Sequence, residues 1–171
     1  MVSALRAFSS VGQSSRLISY NIIGLIQINI MDNITKGTIT ELKCITYFLE
    51  LGYNVSVPQK PARYDFILDT GSELFKVQVK ACHHRHDEDS ITFATASRRQ
   101  GRSGVVSHDY LFDGIDFFCT WYDTQCYLVP VLDCGRHEKN LRLAPTKNGQ
   151  TKNIAFAENY LAKKVLDNRP K

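Results

Sequence analysis

The chain has 171 residues, 43% hydrophobic and 22% charged, which suits one globular domain with a sizeable core and disfavours several. No apolar run is long enough to span a membrane, and five cysteines (Cys44, Cys82, Cys119, Cys126, Cys134) fit neither a disulfide framework nor a CxxC pair, so a cytoplasmic protein with reduced thiols is expected. The net charge of +4 is segregated: residues 103–135 carry five Asp and no Lys or Arg, whereas residues 136–171 carry nine Lys or Arg against three acids, as suits a surface that meets a polyanion.

Residues 1–30 contain no Asp or Glu and follow neither a helical nor a strand period. A secretory or transit peptide fits poorly, because the small-residue cleavage site is missing. Ser9 to Ile18 instead resembles the peptide obtained when a transfer-RNA gene is translated. The expectation is a non-native or disordered leader over 1–30, with translation beginning at Met31 or nearby and a single domain over 31–171.

From Asn33 to Gly52 the spacing of Ile39, Leu42, Ile45, Phe48 and Leu49 predicts a helix, with Gly52 as its stop. Glu41 shares a stripe with Ile45 and Phe48, which turns its carboxylate inward. Thr38-Ile-Thr-Glu41 equally matches a capping box, in which Glu41 serves the helix terminus alone. Tyr53 to Val57 reads as a short strand ended by Pro58.

Residues 64–69 and 75–81 both alternate with a period of two around a Thr-Gly-Ser turn, and so predict a hairpin. With Thr70 to Glu73 as its loop, Asp69 pairs with Leu74, Asp65 lies opposite Gln78, and Lys80 follows on the same face. Tyr64, Phe66, Leu68, Phe75, Val77 and Val79 then form a core face that holds the polar trio in place.

His83 to Asp89 reads as a polar loop, and Cys82, His83, His84 and His86 lack the second ligand pair that a zinc site would need. A strand is expected over 91–96, then a basic loop from Ser97 to Gly104 in which Arg98, Arg99 and Arg102 are suited to fork onto phosphate. Residues 116–122 and 126–131 are two apolar strands fit for a sheet centre. Arg136 to Lys152 is basic and turn-rich, which offers Arg136, Lys139 and Lys147 as phosphate contacts, and Ile154 to Leu166 shows a helical stripe.

Asp65 and Lys80 on adjacent strands suit metal-assisted hydrolysis of a phosphodiester. Asp65, the Val79 carbonyl, Gln78 and Glu41 offer oxygens to a hard divalent ion, Mg²⁺ for choice. Lys80 would orient the attacking water or stabilise the transition state.

Glu41, Asp65 and Gln78-Val79-Lys80, in the order helix, strand, turn, strand, resemble the PD-(D/E)XK nuclease superfamily. That resemblance implies an α/β, restriction-endonuclease-like core with a mixed central β-sheet flanked by helices. Two positions depart from the pattern: Tyr64 stands where proline is usual, and Gln78 where an acid is usual. Together with Asp116-Phe and Tyr127-Leu-Val-Pro130, the same residues are similar to homing endonucleases encoded by group I introns in bacterial initiator tRNA genes. The resemblance implies cleavage of double-stranded DNA at the uninterrupted tRNA gene and a homotetramer; the lack of a membrane-length apolar run leads to the expectation of no membrane partner. Cutting both strands of a duplex by itself asks for at least a dimer. A Holliday-junction resolvase and an inactive DNA-binding module remain as alternatives.

Overall fold

The computed structural model describes residues 32–85, 89–101, 104–109 and 114–169 and, for 97–101 and 104–109, the backbone. The expected leader therefore lies outside the described residues. The chain divides into two compact units, Met1–Lys36 and Gly37–Lys171. In the first, Asp32 caps the opening turn of helix α1 (Asn33–Glu50) by accepting a hydrogen bond from the Thr35 amide at 2.7 Å.

The cap at Asp32 corrects the capping-box reading. Thr38 and Glu41 lie inside the helix, where the amides are already paired along it, so Glu41 is not consumed by a helix terminus. The inward stripe is also shifted from the one expected. Cys44 and Phe48 are fully buried and Ile45 is half-buried, whereas Leu42 and Leu49 are 58% and 53% exposed. A helix resting on a sheet covers one stripe of about 100°, and Glu41, Cys44, Ile45 and Phe48 occupy it here. Gly52 ends the helix region with φ at +84°, a backbone conformation that glycine takes without a Cβ penalty.

The second unit is built on a five-stranded mixed sheet. Its strands are β1 (Asn54–Ser56), β2 (Phe66–Asp69), β3 (Leu74–Val79), and two later strands, β8 (Phe117–Tyr122) and β9 (Gln125–Pro130), in the order β1-β2-β3-β8-β9. The expected hairpin has the expected register: Asp69 pairs with Leu74 and Phe66 with Val77. Within this sheet only the β3–β8 pair is parallel, Gln78 lying opposite Phe118.

A parallel pair needs a crossover. Here it is made of strands: β4 (His83–Arg85), β5 (Ser90–Ala94), β6 (Ala96–Gly101) and β7 (Gly104–Asp109). Three expectations are corrected in this region. Part of the polar stretch 83–89 is a strand, because His83 to Arg85 pair with Thr92 to Ser90. Within the basic stretch 97–104, residues 97–101 form one side of an antiparallel ribbon, β6 with β7, rather than a loop; they lack the apolar alternation that marks a strand. Within the stretch 136–152, β10 (Glu138–Arg142) pairs with β5 and completes a three-stranded sheet β10-β5-β4.

The last expected helix is corrected as well. Ile154 to Phe156 are extended, since Arg142 donates its amide to Ala155 O at 2.8 Å and Phe156 bridges Arg142 in parallel. A 3-10 turn (Ala157–Tyr160) and a short helix α2 (Ala162–Asp167) follow. Pairing with β10 takes the backbone groups that a longer helix would have used internally.

Strands β8 and β9 are buried on both faces, although β9 ends the five-stranded order. Phe117, Cys119, Cys126 and Leu128 join Cys44, Phe48, Phe66, Val77 and Ala162 in one core. Phe118, Tyr127 and Val129 join Ile91, Phe93, Leu141 and Ala157 in the other. Alternate residues of the same two strands thus serve a helical layer and the three-stranded sheet, which explains their nearly unbroken apolar run.

Candidate active site

Asp65 stands one residue before β2, anchored by its own amide, which donates to Val77 O at 2.9 Å. Its carboxylate is half-buried and turned onto the end of β3. Asp65 Oδ2 accepts the Val79 amide at 2.6 Å and the Gln78 side-chain amide at 2.5 Å. The same Gln78 nitrogen donates to Val79 O at 3.3 Å. Gln78 is only 8% exposed, so its amide is committed to these two oxygens. Lys80 leaves the strand at this point, its amide fixed to Cys119 O at 2.9 Å.

Burial is the largest influence on Asp65 and raises its pKa, while the Val79 amide and the Lys80 charge pull it down. Glu41, one turn before Cys44 on α1, also has a raised pKa, first from burial and then from the charge of Asp65. Two carboxylates that share a partly dry site resist ionising together, and Lys80 opposes that resistance. The fold therefore brings together Asp65, Gln78 and Val79 by direct contact, with Glu41 and Lys80 near enough for their charges to act on or respond to Asp65.

The basic residues are distributed differently. Arg98 and Arg99 lie on β6, paired with Ser107 and Val106, and Arg102 falls outside the described residues. Arg136 is exposed just before β10, and Lys147 is exposed in the turn after it. Lys139 is turned back onto its own fold: its ammonium donates to Asp133 O at 2.5 Å and lies 5.0 Å from the centre of the Tyr160 ring. His83 and His84 belong to β4, and Cys82 donates to Trp121 O at 3.4 Å.

Sequence reasoning missed the part played by Cys119, whose carbonyl holds the Lys80 backbone from a strand 39 residues away. Only the parallel pairing of β3 with β8 makes that contact, and no local pattern signals it.

Residues 31–163 match the family model described as PD-(D/E)XK endonuclease. The chain belongs to this family. Among solved structures, it is similar to that of a bacterial homing endonuclease, I-Ssp6803I, with a TM-score of 0.62 and 25% identity over 77% of this chain and 90% of that one. No curated protein matches.

Membership makes the domain that of a nuclease, with the restriction-endonuclease-like core that the order of elements implied. No helix among the described residues is long and apolar enough to cross a membrane. PD-(D/E)XK nucleases generally use divalent metal ions, and the residues here fit one. Asp65 Oδ2 and Val79 O lie close enough together for one Gln78 nitrogen to donate to both, and the carboxylates of Asp65 and Glu41 carry proton affinity that a cation would satisfy instead. An all-oxygen set with a carboxylate and a carbonyl suits a hard cation.

Proposed function

We propose that this chain is a site-specific homing endonuclease, encoded by a group I intron, that hydrolyses phosphodiesters of double-stranded DNA with Mg²⁺, its target the uninterrupted form of a tRNA gene. The observation that carries the reading is the convergence of Asp65, Val79 O, Gln78 and Lys80 at the end of one hairpin, with Glu41 supplied by α1. The likeness to a bacterial homing endonuclease supports the choice of substrate class.

In this reading, Asp65 and the Val79 carbonyl would hold the ion, with Glu41 and Gln78 as further oxygen donors. When bound, the ion supplies Lewis acidity: it makes a water more acidic and offsets charge on the scissile phosphate. Lys80, fixed at its backbone by Cys119, directs its ammonium at the attacking water or at the phosphate oxygen that gains charge. Glu41, whose proton affinity is raised by burial and by Asp65, accepts the proton that the water gives up.

Arg98, Arg99, Arg102, Arg136, Lys139 and Lys147 would neutralise backbone phosphates, with Lys139 leaving Asp133 O to do so. One site cuts one strand, so the active form is a homo-oligomer, at least a dimer, and a tetramer by the resemblance to initiator-tRNA intron enzymes. The protein would work in the cytoplasm on nucleoid DNA, with residues 31–171 as the nuclease domain.

A second reading is a DNA-binding module without catalysis, favoured by the amide of Gln78 in an acidic residue's place. Incubation with Mg²⁺ and a duplex carrying the intact tRNA gene separates the readings. The homing enzyme cuts that duplex at one site. A module binds it and leaves it whole, and a junction resolvase cuts only branched DNA.

A further inference from the structure

Three cysteines from three elements meet inside the core beneath α1. Cys44 comes from the helix, Cys119 from β8 and Cys126 from β9; their exposures are 0%, 0% and 1%. Their sulfurs all lie within 4.8 Å of one another, and the Cys119 and Cys126 sulfurs are 3.4 Å apart. The chain spreads these residues over 83 positions, so only the packing of the helix on the sheet assembles them.

Cys119 and Cys126 are poorly placed to form a disulfide. Cys119 pairs with Leu128 and Cys126 with Trp121, so the two cysteines are diagonal neighbours on their strands. Diagonal Cα atoms are about 7–8 Å apart, beyond the usual reach of a bridge. A metal ion asks for something else. Three sulfurs in a plane around an ion, each about 2.3 Å from it, are about 4.0 Å from one another. That separation falls between the 3.4 Å of the Cys119–Cys126 pair and the 4.8 Å limit on the whole group, so side-chain rotations of a few tenths of an ångström bring the three sulfurs into place.

We propose that Cys44, Cys119 and Cys126 form a buried trigonal site for one soft monovalent d¹⁰ cation, cuprous ion. Thiolate ligands select soft ions. Among the described residues no His, Asp or Glu joins the three sulfurs, and Phe48, Phe66, Leu128 and Val79 pack in the same core. A structural zinc ion requires four ligands, and a catalytic one keeps a water in the fourth position. The apolar lining supplies neither, whereas three-coordination is complete for Cu(I). On loading, each thiol that binds the ion as thiolate gives up one proton to solvent, and metal–sulfur bonds replace the Cys119–Cys126 sulfur contact.

The site is distinct from the oxygen site at Asp65, and the two ions do not compete, because a hard cation prefers carboxylate and carbonyl oxygen. They share supports, however. Cys44 lies three residues from Glu41 on α1, and the Cys119 carbonyl holds Lys80. Copper loading therefore ties together the elements that carry the nuclease residues, independently of whether the proposed DNA target is right.

The test uses the full reduced chain under anaerobic conditions, titrated with Cu(I) in acetonitrile against the chelator bathocuproine disulfonate, both in the native state and during refolding. One ion per chain that withstands the chelator is expected, with X-ray absorption showing three sulfurs at a single distance and no nitrogen or oxygen neighbour. The double variant Cys82→Ser, Cys134→Ser should retain that ion, and Cys126→Ala should lower affinity at least tenfold. No chelator-resistant ion under either loading condition overturns the site, as does a spectrum with two sulfurs or with nitrogen or oxygen ligands. Because the absorption measurement is made on the unaltered chain, it decides the ligand set even if the Cys126→Ala protein misfolds.

Discussion

The Gln78 side-chain nitrogen lies 2.5 Å from Asp65 Oδ2, on the side of the carboxylate that also faces Val79 O. A donor thus sits between two oxygens that would serve to hold a divalent ion. Binding the ion therefore requires the amide to turn and present its oxygen, at the cost of two hydrogen bonds. Gln78→Glu removes that step and adds a charge. Without metal, the variant should be less stable than the parent, since a third carboxylate joins Asp65 and Glu41. Its Mg²⁺ affinity should rise about tenfold or more. Calorimetric titration and melting curves with and without Mg²⁺ check both changes, and an unchanged affinity would remove Gln78 from the ion's surroundings.

Lys80→Ala should lower the rate of duplex cleavage by about 10²–10³, the usual cost of losing one donor to transition-state charge. DNA binding in Ca²⁺ should remain, because the strand backbone is still held by Cys119 O. Asp65→Asn should instead weaken the metal response as well as cleavage. Single-turnover cleavage beside a gel-shift assay distinguishes the two effects.

Asp65 and Glu41 both have folded-state pKa values raised by burial above the ordinary carboxylate range. In the folded state they hold protons that the unfolded chain has already lost. Their contribution to stability is whole below the ordinary carboxylate values and is lost as pH rises through the raised ones. Melting temperatures in chelator should show this decline, and Mg²⁺, which favours the ionised carboxylates, should reverse it. Asp65→Asn should flatten both curves.

The β6–β7 ribbon carries Arg98 and Arg99 on paired backbone. If each neutralises one phosphate, replacing either with Ala should reduce the slope of log affinity against log salt by about 0.9, and replacing both by about twice that. Equal losses on target and unrelated duplexes would mark them as phosphate contacts rather than base readers.

Phe48 and Leu42 test the helix stripe. Phe48→Ala should cost about 3–5 kcal/mol, because its buried ring contacts the Phe66 and Tyr47 rings and leaves a cavity. Leu42→Ala, at 58% exposed, should remain within about 0.5 kcal/mol of the parent in denaturant unfolding.

The amino-acid order alone determined what rests on short-range period and turn length. The alternation of residues 64–69 and 75–79 around a four-residue loop gave the Asp65–Gln78 register, since a slip of one residue would have put Phe66 and Val77 into water. It also determined α1 and the β8–β9 hairpin, and it left Glu41 between an inward-facing stripe and a capping box, a choice that the cap at Asp32 decides. Where polar residues form strands supported from a distance, the period was silent: β4, β6 and β10 exist because β5 and β7 complete their hydrogen bonds. For the same reason Ile154 to Phe156 lost a helix to pairing with β10.

Only the tertiary structure decided how Lys80 is anchored, which stripe of α1 is buried, and that three separate cysteines share one pocket of the core. Each depends on contacts between residues tens of positions apart, which exist once apolar faces close on one another and leave no trace in the neighbouring letters.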